Sequence, residues 1–143
     1  MRTRAKICGI TRVQDIKAVV DAGADAIGFV FFPPSPRSVN KAEAIALVQA
    51  VPTYVQVVGL FVNATADEIA EILKDVHLDI LQFHGDESPE QCQQIANHVR
   101  RRWYKAIQVK PDANSTEMIE TIQQYQQVGA SAMLLAAWHP ELK

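Results

Sequence analysis

Short, nearly continuous apolar runs alternate along the chain with longer stretches in which apolar positions recur every three or four residues. The runs cover residues 5–10, 26–31, 54–62, 80–83, 103–109 and 132–137. Runs without a polar alternation are how strands buried on both faces of a parallel sheet read. The stretches between them carry helical stripes, such as Ile69, Ile72, Leu73 and Val76, or Cys92, Ile95, Ala96 and Val99. Each helix is announced by a cap residue with an acceptor three positions on: Thr11 and Gln14, Asn40 and Glu43, Thr65 and Glu68, Ser88 and Gln91, Asn114 and Glu117. Pro89 falls at a first helical position, where its missing N–H costs nothing. Gly23 and Gly129 close two of the helices before the next strand. The pattern predicts an α/β protein of six strands and five helices in strict alternation. Residues 1–143 read as one domain, with no linker, low-complexity tract or second unit.

The caps recur roughly every 25 residues, one β/α unit each. Eight such units need about 200 residues. The sequence reaches Lys143 just beyond the sixth run, and residues 138–143 are expected to form no sixth helix. Periodicity therefore allows two architectures. One is an open, doubly wound sheet that is complete as it stands; the other is a (β/α)8 barrel lacking its last quarter.

Composition narrows the function more than the fold. The chain is 48% hydrophobic and 21% charged, ordinary for a globular protein, and its net charge is -2. That charge gives no electrostatic reason to expect nucleic acid or an anionic membrane as partner. No apolar run approaches the ~20 residues of a membrane span. The basic N-terminus leads into no signal-peptide core. Two widely separated cysteines suggest reduced thiols and a cytoplasmic setting rather than a disulfide framework.

Candidate chemistry gathers where strands should hand over to helices. Cys8 ends the first strand, at the edge that borders the crevice in parallel α/β folds. Lys6 lies two residues earlier on the same strand face, where a cation could lower the thiol pKa. Cys92, on an apolar helix stripe, reads as core. After the second strand, Pro33, Pro34 and Pro36 stiffen a loop that carries Arg37, whose guanidinium suits two-point capture of a carboxylate. A solvated arginine on a stiff loop is the ordinary alternative. Gln82 and His84 share one strand face at the same end, although a lone histidine is more often structural than catalytic. No Cys/His spacing matches a zinc site, and neither a dinucleotide fingerprint nor a P-loop is present.

Taken in order, Lys6-Ile7-Cys8-Gly9-Ile10-Thr11, Gly28-Phe29-Val30-Phe31 with Pro34-Ser35-Pro36-Arg37-Ser38, Val58-Gly59-Leu60-Phe61-Val62 and Leu81-Gln82-Phe83-His84-Gly85 resemble the phosphoribosylanthranilate isomerases. That family has a (β/α)8 barrel, belongs to tryptophan biosynthesis and uses no cofactor. Its reaction is an Amadori rearrangement of N-(5-phosphoribosyl)anthranilate to 1-(2-carboxyphenylamino)-1-deoxyribulose 5-phosphate. The resemblance implies Cys8 as general base, Arg37 as clamp on the anthranilate carboxylate, and Gln82 and His84 as pocket lining. It favours the incomplete barrel over a flavodoxin-like domain. The latter needs an acidic cluster or phosphate loop where this chain has Cys8-Gly9-Ile10-Thr11-Arg12.

Two departures from the family pattern bear on activity. The family's general acid is an aspartate ending strand six in a Leu-Leu-Asp-Ala pattern, and this chain reads Leu134-Leu135-Ala136-Ala137. A methyl group cannot protonate a ring oxygen, so the chain as written is expected to be inactive or severely impaired. The glycine-rich phosphate loops that follow strands seven and eight in the family are also absent from these 143 residues. An unclosed barrel would leave strands one and six with unpaired edges, open to self-association. A non-catalytic assembly or ligand-binding module is the alternative function.

Overall fold

The computed structural model describes residues 1–137. It contains β1 (Lys6–Cys8), α1 (Val13–Asp21), β2 (Ala26–Val30), α2 (Lys41–Gln49), β3 (Gln56–Phe61), α3 (Ala66–Leu73), β4 (Ile80–Phe83), α4 (Pro89–Val99), β5 (Arg102–Val109), α5 (Ser115–Gln127) and β6 (Ala132–Ala137). The expectation of no sixth helix falls on residues 138–143, outside the described residues.

All six strands are parallel, and their spatial order is their chain order. This order decides between the two architectures. A doubly wound sheet reverses direction at a switch point, whereas a barrel adds each strand beside the last. The sheet also curls. Strands β1 and β4 are three spacings apart, about 14 Å in a flat sheet, yet the Lys6 ammonium reaches the Gln82 side chain at 2.6 Å.

Register sorts the side chains onto two faces. Ile27, Phe29, Val57, Phe61, Leu81, Phe83 and Trp103 point outward into the main core with Ile16, Leu47, Ile69, Cys92 and Tyr125 from the helices. Ala26, Val58 and Ile80, with Tyr104 against them, form a smaller cluster on the concave face. The central strands thus carry apolar groups on both faces, which is why their sequences do not alternate strictly.

The helix starts follow the capping reading except at α1, where the cap fails, and at α5, where Asn114 caps without a return bond from Glu117. Asn40, Thr65 and Ser88 each head a reciprocal capping box, and Pro89 occupies the first turn of α4. Asn114 caps α5 by accepting from the Thr116 and Glu117 N–H groups. Thr11 does not cap α1. That helix begins one residue later, with Arg12 in the cap position and no side-chain cap bond. The Arg12 guanidinium instead grips Asp15 with two bonds of 3.0 Å, which brings an acidic group to the first turn.

Candidate active site

The residues singled out by sequence come together at the C-terminal end of the sheet, on its concave face. Cys8 is half-buried there, beside Gly28 on β2. A side chain at Gly28 would place its Cβ 2.9 Å from the Cys8 sulfur, so the thiol leans over the neighbouring strand. Gly9, with φ of +84°, turns the chain out of β1, and a Cβ added to it would lie 2.5 Å from Arg37 Nη1. Arg37 therefore lies directly over the Cys8–Gly9 backbone, and Nη1 donates to the Cys8 carbonyl at 3.4 Å.

The loop that carries Arg37 is held locally. Ser35 N–H donates to Phe32 O, Ser38 N–H to Ser35 O, and Val39 N–H returns to Val30 O at the end of β2. The Arg37 N–H also donates to the Ser35 hydroxyl at 3.2 Å. Below this loop, Phe31 and Phe61 stack with ring centroids 5.3 Å apart, tying β2 to β3.

On β4, Gln82 is 3% exposed and its Nε2 lies 3.2 Å from His84 Nδ1. The Lys6 ammonium donates to the Gln82 carbonyl oxygen. Sequence placed Lys6 as a neighbour of the thiol; the structure shows it engaged by β4. His84 is held below the ordinary imidazole pKa, first by burial and then by the positive charges of Lys105, Lys6 and Arg37, with Glu87 acting the other way. Ala136 pairs in register with Gln108, whose parity runs through Ala106 and Tyr104 to the concave face. Position 136 thus shares the thiol's face, while Leu135 points outward and is 59% exposed.

Sequence reasoning missed the support beneath these loops. Lys105 and Glu87 form a buried ion pair. Lys105 Nζ also donates to Gly85 O at 2.6 Å, and the Glu87 carboxylate accepts from the Gly85 and Asn63 N–H groups at 2.9 and 2.8 Å. The Tyr125 hydroxyl donates to Glu87 O at 2.6 Å. A lysine inside the apolar run 103–109 was the available signal, because lysine is almost never fully buried unless paired.

A cleft of about 470 Å³ opens at the opposite end of the sheet, among Arg4, Asp25, Tyr54, Gln56 and Tyr104. The N-terminal end of such a sheet serves stability rather than chemistry, and neither Cys8, Arg37, Gln82 nor His84 lines the cleft. Among the described residues, no group of three or more His, Cys, Asp or Glu side chains is gathered where a metal ion could be held. No helix among them is long and apolar enough to cross a membrane.

Known proteins share this sequence pattern and fold. The family model for N-(5′-phosphoribosyl)anthranilate (PRA) isomerase matches residues 5–135. An N-(5′-phosphoribosyl)anthranilate isomerase of Acinetobacter calcoaceticus is 68% identical over the whole chain, which spans 66% of that relative. One from Ralstonia nicotianae is 46% identical over 96% of the chain and 57% of the relative. The chain thus spans somewhat less than two thirds of the length of these curated relatives. The crystal structure of phosphoribosyl anthranilate isomerase from Thermotoga maritima superposes with a TM-score of 0.85 at 35% identity, covering 99% of this chain and 64% of that one. A phosphoribosyl anthranilate isomerase in complex with reduced 1-(o-carboxyphenylamino)-1-deoxyribulose 5-phosphate superposes at 0.83, with 35% identity over 96% of this chain and 66% of that one. On a sheet that adds its strands in barrel order, and with a family match that runs from before β1 into β6, the chain belongs to the N-(5′-phosphoribosyl)anthranilate isomerase family.

Proposed function

We propose that the chain carries the general-base and carboxylate-binding half of an Amadori isomerase site for N-(5-phosphoribosyl)anthranilate, and that alanine at 136 leaves it inactive or severely impaired. The observation that carries this reading is the packing of Arg37 over the Cys8 backbone, with Gln82 and His84 on the same concave face. The relative bound to a reduced product analogue supports the substrate class.

In this reading Arg37 clamps the anthranilate carboxylate, and Gln82 and His84 line the pocket. Protonation of the ribose ring oxygen lets the C1′–O bond break, with the nitrogen lone pair forming a Schiff base. The Cys8 thiolate then takes the C2′ proton, and the released electron pair forms the enolamine. Tautomerisation gives the ketone. The first step needs a proton donor, and Ala136 has none. Loss of a positioned general acid slows a reaction by about 10²–10⁴-fold. The 143 residues also lack the phosphate loops that would supply remote binding energy.

The test is isomerase turnover in a chain extended to the relatives' length, with Ala136→Asp compared against alanine. A rate gain of about 10²-fold or more is expected; equal rates would sink the assignment of the acid position. A cytoplasmic setting belongs to the same reading, since Cys8 and Cys92 are both free thiols and a thiolate base must stay reduced.

A second reading is an assembly or ligand-binding module. The edges of the sheet favour it: β1 and β6 each pair on one side only within the described sheet, and Ile7 and Leu135 on their outer faces are 39% and 59% exposed. Size-exclusion chromatography across a concentration series reads out self-association. A monomer at every concentration that also fails to bind anthranilate would remove this alternative.

A further inference from the structure

The hydrogen bonds through Gln82 determine where a proton sits. An ammonium only donates, so the Gln82 oxygen 2.6 Å from Lys6 Nζ is the acceptor end of the amide. The amide nitrogen is thereby turned to His84 Nδ1, 3.2 Å away. That nitrogen also only donates, so Nδ1 must accept and carries no proton. A neutral imidazole with a bare Nδ1 holds its proton on Nε2. Among the described residues Nε2 has no hydrogen-bond partner of its own. Gln82 is buried, so water cannot readily take over either end of its amide.

We propose that Lys6 is a positioning residue of this site: through Gln82 it fixes His84 as a neutral imidazole protonated on Nε2, a hydrogen-bond donor kept for an anionic ligand oxygen. For its ligand, an aromatic carboxylate, the inference rests on the isomerase reading above. For the tautomer it rests on hydrogen-bond chemistry alone. Lys105, Lys6 and Arg37 act on the ring with positive charge and Glu87 with negative charge, and burial acts with the cations against a second ring proton. A neutral donor would add to the Arg37 clamp without adding another charge that must be desolvated.

Long-range proton–nitrogen NMR of the 143-residue chain tests the relay, with the His84 ring assigned by its loss in His84→Gln. The native chain should show the Nε2–H form at neutral pH and a titration midpoint below the ordinary value of 6.5. Gln82→Glu still accepts from Lys6 but offers no N–H to Nδ1, so the proton should move to Nδ1 and the midpoint should rise. Lys6→Met should give a mixture of tautomers, because the amide is then free to flip. A native Nδ1–H form, or a pure Nε2–H form persisting in Lys6→Met, would overturn the relay. Should Lys6→Met fail to fold, an unchanged tautomer in Gln82→Glu would overturn it equally. Anthranilate is the binding probe, and its affinity should fall in Lys6→Met in proportion to the Nε2–H fraction lost, about twofold for an even mixture. Equal affinity would refute the positioning role. No binding by a native chain that shows the Nε2–H form would instead refute the isomerase reading and leave the relay standing.

Discussion

Lys105 Nζ and Glu87 Oε1 lie 3.1 Å apart with both side chains only 4% exposed, and the pair ties loops at the C-terminal end of the sheet to β5. Each partner is satisfied further by backbone: Glu87 by the N–H groups of Asn63 and Gly85, Lys105 by the Gly85 carbonyl. The Lys105 ammonium also stands 5.6 Å from the centre of the Tyr125 ring. A fully bonded buried pair is costly to break because the remaining charge is stranded.

Glu87→Gln or Lys105→Met should each destabilise the chain by about 3–5 kcal/mol. The double variant should cost less than the sum of the two. Urea unfolding of all four chains reads the coupling, and strict additivity would mean that the pair does not interact in solution.

Gly28→Ala should displace the thiol, since the new methyl would sit 2.9 Å from the Cys8 sulfur. Gly9→Ala should do more harm. Its backbone is in the left-handed region at φ +84°, and its Cβ would meet the Arg37 guanidinium. Anthranilate titration of both variants should show weaker binding for Gly9→Ala than for Gly28→Ala. The opposite order would argue that Arg37 is not the carboxylate clamp.

The two cysteines should differ sharply towards alkylating reagents. Cys92 is fully buried, and burial pushes its thiol up to about 12. Cys8 is half-buried at the open end of the sheet. Mass spectrometry after iodoacetamide treatment should find one label in the native chain, none in native Cys8→Ser, and two labels after denaturation of the parent chain. Native labelling at Cys92 would contradict its place in the core.

Asp25 should shape acid unfolding. It pairs with Arg2 and Arg4 and accepts from the Ala5 N–H at 2.8 Å. The Arg2 hydrogen bond leads in holding its pKa at about 2, below the ordinary 3.8. A carboxylate with a depressed folded-state pKa stabilises the fold above its unfolded value and loses that contribution as pH falls through the folded one. Between about pH 4 and 2, Asp25→Asn should therefore flatten the loss of stability with acid. An unchanged slope would show that the Arg2 latch does not form in solution.

Much of the fold was legible in the sequence because its signals are local. Ser88, Pro89 and Gln91 specify a helix start within one turn, and α4 begins there. The limits of β4 and β6 match the apolar runs 80–83 and 132–137. Thr11 misled because Arg12 could reach Asp15, a competition between two neighbouring side chains that no cap pattern resolves. The motif resemblance found Cys8, Arg37, Gln82 and His84 together, and the structure places all four at one end of one face.

By itself, then, the sequence determined the alternation of strands and helices, the family, and the absence of an acid at position 136, since each is written in adjacent residues or short motifs. The tertiary structure decided that strands follow one another in barrel order, that Lys6 reaches Gln82 across three strand spacings, and that Lys105 finds Glu87 beneath the loops. Those contacts join residues far apart in the chain, and only the curl of the sheet brings their charges and dipoles within bonding distance.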